Sequence, residues 1–209
     1  SGFAIKANPI SLALLKDGRE CFADAVAGEG QPLGMSLSFG GPYLGFLAST
    51  KKYMRKLVGR IVGKTEDING KESYVLTLQA REQHIRREKA SSSICSNQAH
   101  CALTATLYMA VMGEKGMKEV ASQCVSKAHY LAKEITKIDG YELKYKGEFF
   151  NEFVIKSKTK VDDIIKACKQ NGILAGYKLS EDEILWCVTE MNDKKEMDFL
   201  VQILKEVGR

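Results

Sequence analysis

Between Met117 and Ile138 the apolar residues fall at Met117, Val120, Ala121, Cys124, Val125, Ala128, Leu131, Ala132, Ile135 and Ile138. That spacing follows the i, i+3, i+4, i+7 rule of a helix with one buried stripe. Lysines and glutamates fill the remaining faces, so the helix needs a partner surface along its whole length and does not belong in a bilayer. A shorter helix precedes it, starting after Ser96 or Asn97 as cap and ending at Gly113. Long helices of this kind often connect domains, and the segments on either side read as two different α/β patterns.

The region after Tyr141 reads as a compact β-α-β-β-α unit. The predicted elements are strand 149–156, helix 161–171, strand 173–177, strand 184–190 and helix 194–207. Thr159 with Asp162 has the spacing of a capping box, as does Asp193 with Glu196, and Gly172 stands where a left-handed residue stops the first helix.

The region before the helices alternates in the same way with longer loops. A strand is expected over 3–7, a helix from Pro9 to Leu15, a strand over 23–27 and an apolar run over 43–48. A basic helix should follow Thr50, and a strand over 74–78 should follow the Asn69-Gly70 turn. The order suggests a parallel α/β layer. The chain therefore divides into a large-domain portion over 1–95, connecting helices over 96–138 and a small α/β domain over 139–209.

At 209 residues and 44% hydrophobic the chain can bury a real core. No apolar run approaches the roughly 20 residues that span a bilayer, and the first residues carry no charged leader, so the expected location is cytoplasmic and no membrane partner is expected. Six cysteines stand singly, without a CxxC pair, which predicts reduced core thiols. Cys95, His100 and Cys101 are the one Cys/His cluster. Spacings of five and six do not share a helix face, so no metal site is expected. Cys95 at a helix start would have a lowered thiol pKa, but no base is placed beside it by sequence.

The net charge of +5 is concentrated: Lys51, Lys52, Arg55, Lys56, Arg60 and Lys64 occur with no acid among them. A non-catalytic binding module using the basic segment 51–64 is one reading, whose signature would be a steep salt dependence. No nucleic-acid motif accompanies the charges, so a solvated face or a patch for an acidic protein is the preferred alternative and no nucleic-acid partner is expected. The Gly28–Gly34 loop and Gly40-Gly41-Pro42 suit close backbone approach, and neither GxGxxG nor a P-loop pattern is present. Arg81, His84, Arg86 and Arg87 form a stretch denser in donors than a solvated loop requires. Paired guanidinium forks suit carboxylate or phosphate recognition, and a salt-bridged surface helix explains the composition equally well.

Four segments carry a family resemblance: 7–15 (ANPISLALL), 28–34 (GEGQPLG), 37–46 (LSFGGPYLGF) and 76–90 (LTLQAREQHIRREKA). They resemble subunit 1 of the bacterial two-subunit glycine decarboxylase, the P-protein of the glycine cleavage system, at high specificity from Ala7 to about Ile138. The resemblance implies the C-terminal part of a fold-type-I pyridoxal-phosphate transferase-like subunit, comprising part of the large domain and the small α/β domain. It implies a cofactor bound by the lysine-bearing P-protein subunit 2 within a heterotetramer, and transfer of the aminomethyl group to the lipoyl carrier H-protein. In the cofactor-bearing subunit a His-Lys pair lies in the loop after the strand matching 23–27, and Pro32 takes the lysine's place here. Residues 5–7 supply no carboxylate for the pyridine nitrogen. Pyridoxal phosphate needs both, an amine to hold it and an acid to make its ring an electron sink, so this portion alone should be inactive. A free-standing aminotransferase-like enzyme is disfavoured on the same ground. Its expected share of the site is a set of donors to the partner subunit, drawn from Arg81, His84, Arg86, Arg87, Ser91, Ser92, Ser93 and Asn97.

Overall fold

The computed structural model describes residues 2–90, 92 and 97–208. It divides into two compact units, Ser1–Val111 and Met112–Arg209.

In the first unit, β1 (Ala4–Ala7), β2 (Ala25–Glu29) and β3 (Gly45–Ser49) form a three-stranded sheet in that order. β1 and β2 run parallel, as the alternation suggests, while β3 is antiparallel to β2 with Val26 opposite Ala48 and Gly28 opposite Phe46. The reason lies in the connection. A parallel return requires a crossover, usually helical, whereas residues 30–44 form turns that simply bring the chain back. Pro9 likewise starts only a turn and the 3₁₀ segment Ser11–Ala13, not a helix to Leu15. Gly28 is required by packing: a Cβ there would stand 2.2 Å from the Ala7 carbonyl oxygen and 2.5 Å from the Phe46 ring.

The basic stretch does not form one helix. Lys51–Lys56 is 3₁₀, with Lys52 and Lys56 over the Tyr53 ring, and Ile61–Glu66 is a strand, β4. β4 pairs antiparallel with β5 (Glu72–Thr77) through the Asp67–Gly70 turn, where the Asp67 carboxylate accepts from the Asn69 and Lys71 amides. The β-branched Ile61, Val62 and Thr65 favour the strand, and Lys64 pairs across it with Glu72 at 2.5 Å. After Leu78 come a 3₁₀ turn over Gln79–Arg81, the short helix α1 (Gln83–Arg86) and a second 3₁₀ turn over Arg87–Lys89.

A helical run α2 extends over Ala99–Ile135 and is broken at Gly113, where φ is 60° and ψ −177°. The Asn97 side chain accepts from the Ala99 amide at 3.0 Å, which makes it the starting cap. Among the described residues no helix is long and apolar enough to cross a membrane.

In the second unit β6 (Tyr141–Leu143), β7 (Glu152–Ser157), β9 (Glu183–Cys187) and β8 (Tyr177–Lys178) form an antiparallel sheet in that order. Phe153 faces Trp186 and Ile155 faces Ile184 on one side of it. That side is buried against Ala128, Leu131 and Ile135 of α2, Val161 and Ile164 of α3 (Val161–Gln170), and Leu200 and Leu204 of α4 (Lys194–Val207). Each fully buried Ile or Leu there contributes roughly 2 kcal/mol of apolar transfer. The predicted stripe of α2 is thus the lid of this core. Three cysteines, Cys101, Cys124 and Cys168, are buried as expected. Cys187 is exposed and Cys21 half-buried, against expectation, Cys187 because it alternates outward next to the inward Trp186.

The start and stop signals divide. Asp193 and Glu196 form the full capping box. Thr159 does not cap α3: Lys160 is its N-cap, with no side-chain bond, and the Thr159 amide donates instead to the Ser157 hydroxyl. Gly172, at φ 74°, ends α3 in a Schellman motif, its amide bonding Lys169 O and the Ile173 amide bonding Cys168 O. Ile173 is thereby used up by the helix stop, so strand pairing begins only at Tyr177 and not at 173.

Candidate functional site

The donor-rich stretch is held at the open end of the β4–β5 ribbon. The register that sets Ile61 opposite Thr77 carries Arg60 to the strand end, where the chain turns at Leu78 with a left-handed backbone (φ 53°, ψ 30°). Arg81 reaches back to donate from Nη2 to Gly59 O at 2.9 Å, and its Nε lies 3.6 Å from Glu82 Oε1, both side chains being 12% exposed. Arg81 Nε and Nη1 are buried donors with no hydrogen-bond acceptor among the described residues. The Arg86 Nε donates to Ala80 O at 3.2 Å, closing the short helical turn on itself. Arg87 follows with φ 52° and ψ −123°, a conformation costly for any residue with a Cβ.

His84, Arg86 and Arg87 are exposed and Ser92 is half-buried. Asn97 has its carbonyl oxygen committed to the α2 start. Ser91 and Ser93, together with Cys95, lie outside the described residues. The structure therefore brings Arg81, His84, Arg86 and Arg87 into one compact segment and separates their roles: Arg81 braces, while His84 faces a cavity of about 190 Å³ lined also by Arg60, Leu76, Thr77, Gln79 and Glu82.

Sequence reasoning grouped Arg60 with the basic segment and passed over Gln79 and Glu82. The signal available was the Asn-Gly turn: treating it as a hairpin would have paired residues 61 and 77 and placed Arg60 beside 79–84. In this unit the Tyr43 phenol is lowered, chiefly because its oxygen accepts from the Ser38 amide at 3.0 Å, and the Tyr74 phenol is raised, chiefly because it donates to the Glu72 carboxylate at 2.6 Å.

The turn to which the family resemblance assigns the cofactor lysine of the partner subunit follows β2. Its Gly30 amide bonds Leu44 O and its Gln31 side chain bonds Met35 O, with Pro32 at the bend. No lysine occurs anywhere from Asp17 to Thr50. The residues of this turn do not fit a covalently held pyridoxal phosphate.

The architecture is that of fold-type-I pyridoxal-phosphate-dependent enzymes. Mouse CSAD superposes over 100% of this chain and 46% of its own at a TM-score of 0.67, with 17% identity, which shows the shared fold. A model of the family described as glycine cleavage system P-protein matches residues 1–204. The proteins described as "Probable glycine dehydrogenase (decarboxylating) subunit 1" of Desulfitobacterium hafniense and Moorella thermoacetica are 52% and 50% identical over 206 residues, each match covering 96% of this chain and 46% of the relative. A crystal structure of glycine decarboxylase (P-protein) of the glycine cleavage system, in inhibitor-bound form, matches at a TM-score of 0.94 and 36% identity, over 99% of this chain and 48% of that one. The chain belongs to the glycine cleavage system P-protein family, and it spans about half the length of the relatives it matches.

Proposed function

We propose that the chain serves as the C-terminal portion of the non-lysine subunit of glycine dehydrogenase (decarboxylating). With its lysine-bearing partner subunit it takes part in decarboxylating glycine and passing the aminomethyl group to the lipoyl carrier protein. The observation that carries this reading is the combination of 52% identity to subunit 1 relatives with a lysine-free stretch through β2, its turn at Pro32 and β3. The partner holds pyridoxal phosphate, and this chain supplies shape and donors.

Its share of the site is the segment from Arg81 to Asn97. His84, Arg86 and Arg87 are the exposed donors, and Arg81 fixes the segment through Gly59. Fork-shaped guanidinium groups recognise carboxylate or phosphate oxygens.

The test is spectroscopic. Pyridoxal phosphate added to this chain alone should give no Schiff-base absorption band, and the band should appear on adding the lysine-bearing homologue. Glycine decarboxylation should return only when the full-length subunit and that homologue are mixed. A band with this chain alone would overturn the reading.

A further inference from the structure

Four cations of the basic segment stand on one short helical turn. Lys51, Lys52, Arg55 and Lys56 belong to the 3₁₀ run Lys51–Lys56, and all four are exposed. Among the described residues none of them is in an ion pair. In the second unit, by contrast, seven lysines pair with an Asp or Glu, so an unpaired cluster is not how this chain ordinarily carries its surface charge. The Asp24 carbonyl takes the Thr50 amide, but the Asp24 carboxylate is committed to the Phe3 amide at 2.9 Å. Like charges crowded on so short a run repel one another, and no acid among the described residues offsets them.

The turn is held in place. The Thr50 amide bonds Asp24 O and the Tyr53 amide bonds Thr50 O, each at 3.0 Å, and the ammonium groups of Lys52 and Lys56 lie 5.1 and 5.8 Å from the centre of the Tyr53 ring. That ring is half-buried and already engaged by two cations, so it is no platform for a stacked base. A 3₁₀ run this short offers no helix to enter a major groove. Residues three apart share a row in such a helix. Met54, 42% exposed, therefore stands in the row of Lys51, and Val58, 41% exposed, follows just beyond the turn. Apolar atoms and charges are interleaved here, whereas a helix lying in a bilayer surface separates them onto opposite faces. Cations around exposed apolar side chains suit a protein interface, where Met and Arg are enriched.

We propose that the surface over residues 51–58 is a docking site for an acidic protein, one that presents Asp or Glu carboxylates around an apolar side chain covering Met54 and Val58. The partner's carboxylates supply the counter-charge that the fold does not, and the fixed turn lowers the ordering cost of the encounter. Attraction between the two surfaces speeds association and fades with salt. This goes beyond the share in the active site proposed above and does not depend on which subunit holds the cofactor.

The experiment follows the amide resonances of Tyr53, Met54 and Val58 in this chain as probes are added. The probes are a short synthetic peptide of Asp and Glu around one Leu, the same peptide with every acid as its amide, a DNA duplex, and phosphatidylcholine vesicles containing phosphatidylserine. Saturable shifts are expected with the acidic peptide, none with its amide form, and weaker binding with the duplex and the vesicles. Lys51→Glu with Arg55→Glu, which leaves the Tyr53 contacts in place, should weaken the peptide about tenfold or more. Lys166→Glu with Lys169→Glu, at exposed positions of α3, changes the net charge equally and should leave binding within about twofold, because exposed charges beyond the screening length contribute little. Met54→Ser should weaken binding without altering its dependence on salt. Tighter binding to the duplex or the vesicles than to the peptide, equal losses in the two charge-reversed variants, or no response to Met54→Ser would each overturn the proposal. So would a full-length subunit whose 51–58 amides no longer respond, since the rest of that subunit then covers the surface. Every readout is binding without cofactor, so failure here leaves the Schiff-base test untouched, and failure of that test leaves the docking result standing.

Discussion

Arg81 donates from Nη2 to the carbonyl of Gly59, 22 residues earlier in the chain, at 2.9 Å. This bond joins the donor-rich segment to the entry of β4, and Glu82 beside it is equally sheltered. Arg81→Ala should therefore act on two counts, leaving the Gly59 carbonyl without its donor and the Glu82 carboxylate without its cation. Hydrogen bonds to charged groups are worth about 1.5–3 kcal/mol. A loss of about 2 kcal/mol in urea unfolding of the first unit is expected, with Arg81→Lys recovering only part because an ammonium cannot reproduce the fork. A change below about 0.5 kcal/mol would show that Arg81 is a free surface donor.

The second unit should respond to its helix cap in the same measurement. Asp193 accepts from the Glu196 amide at 2.9 Å while the Glu196 side chain returns to the Asp193 amide. Asp193→Ala should cost about 1 kcal/mol and fray the first turn of α4, seen as faster amide exchange at Glu196 and Met197. Thr159→Ala should leave the exchange of α3 unchanged, since Thr159 makes no cap bond there.

These two sites mark how far the sequence could be read. Helices α3 and α4 and the buried stripe of α2 were legible because their signals are local: a 3.6-residue period, a box of two residues, a glycine stop. The pairing of β3 was not, because strand direction depends on the path of a loop with no periodicity. β4 was hidden because Gly63 interrupts its alternation and lysine and arginine suit a helix as well as a strand edge. At the candidate site, the density of donors over 81–87 was visible in the composition. The division between a bracing Arg81 and a cavity-facing His84 was not, because it depends on Gly59 and Arg60, which only the hairpin register brings near.

Acid should loosen the contact between α4 and α2. The Lys194 ammonium at 2.6 Å, and secondarily the Tyr130 hydroxyl, hold the Asp198 carboxyl below the ordinary carboxylate range. A depressed folded pKa means that the contribution is complete above the unfolded value, near 3.9, and is lost as pH falls through the folded value. The Asp198 carboxyl carbon should accordingly titrate below a model aspartate in NMR. Asp198→Asn should remove this group's part of the acid limb of the stability profile while leaving the neutral-to-alkaline shape unchanged. An Asp198 midpoint at or above the model value would contradict the assignment.

Gly113 is where α2 can be tested as one helix or two. Its φ of 60° and ψ of −177° fall in a region open essentially only to glycine. No atom beyond its immediate neighbourhood would meet an added Cβ within 4 Å, so space is not the obstacle and any cost is conformational. Gly113→Ala can hold the break at a cost of about 1–3 kcal/mol, or it can adopt helical angles and join the two segments. The buried residues on both sides, Ala105 before it and Val120 and Ala121 after it, already have their packing partners, which favours keeping the break. The expected result is a lowered unfolding midpoint with unchanged helical circular dichroism. A rise in helical signal without loss of stability would mean that the break is not required by what the two segments bury.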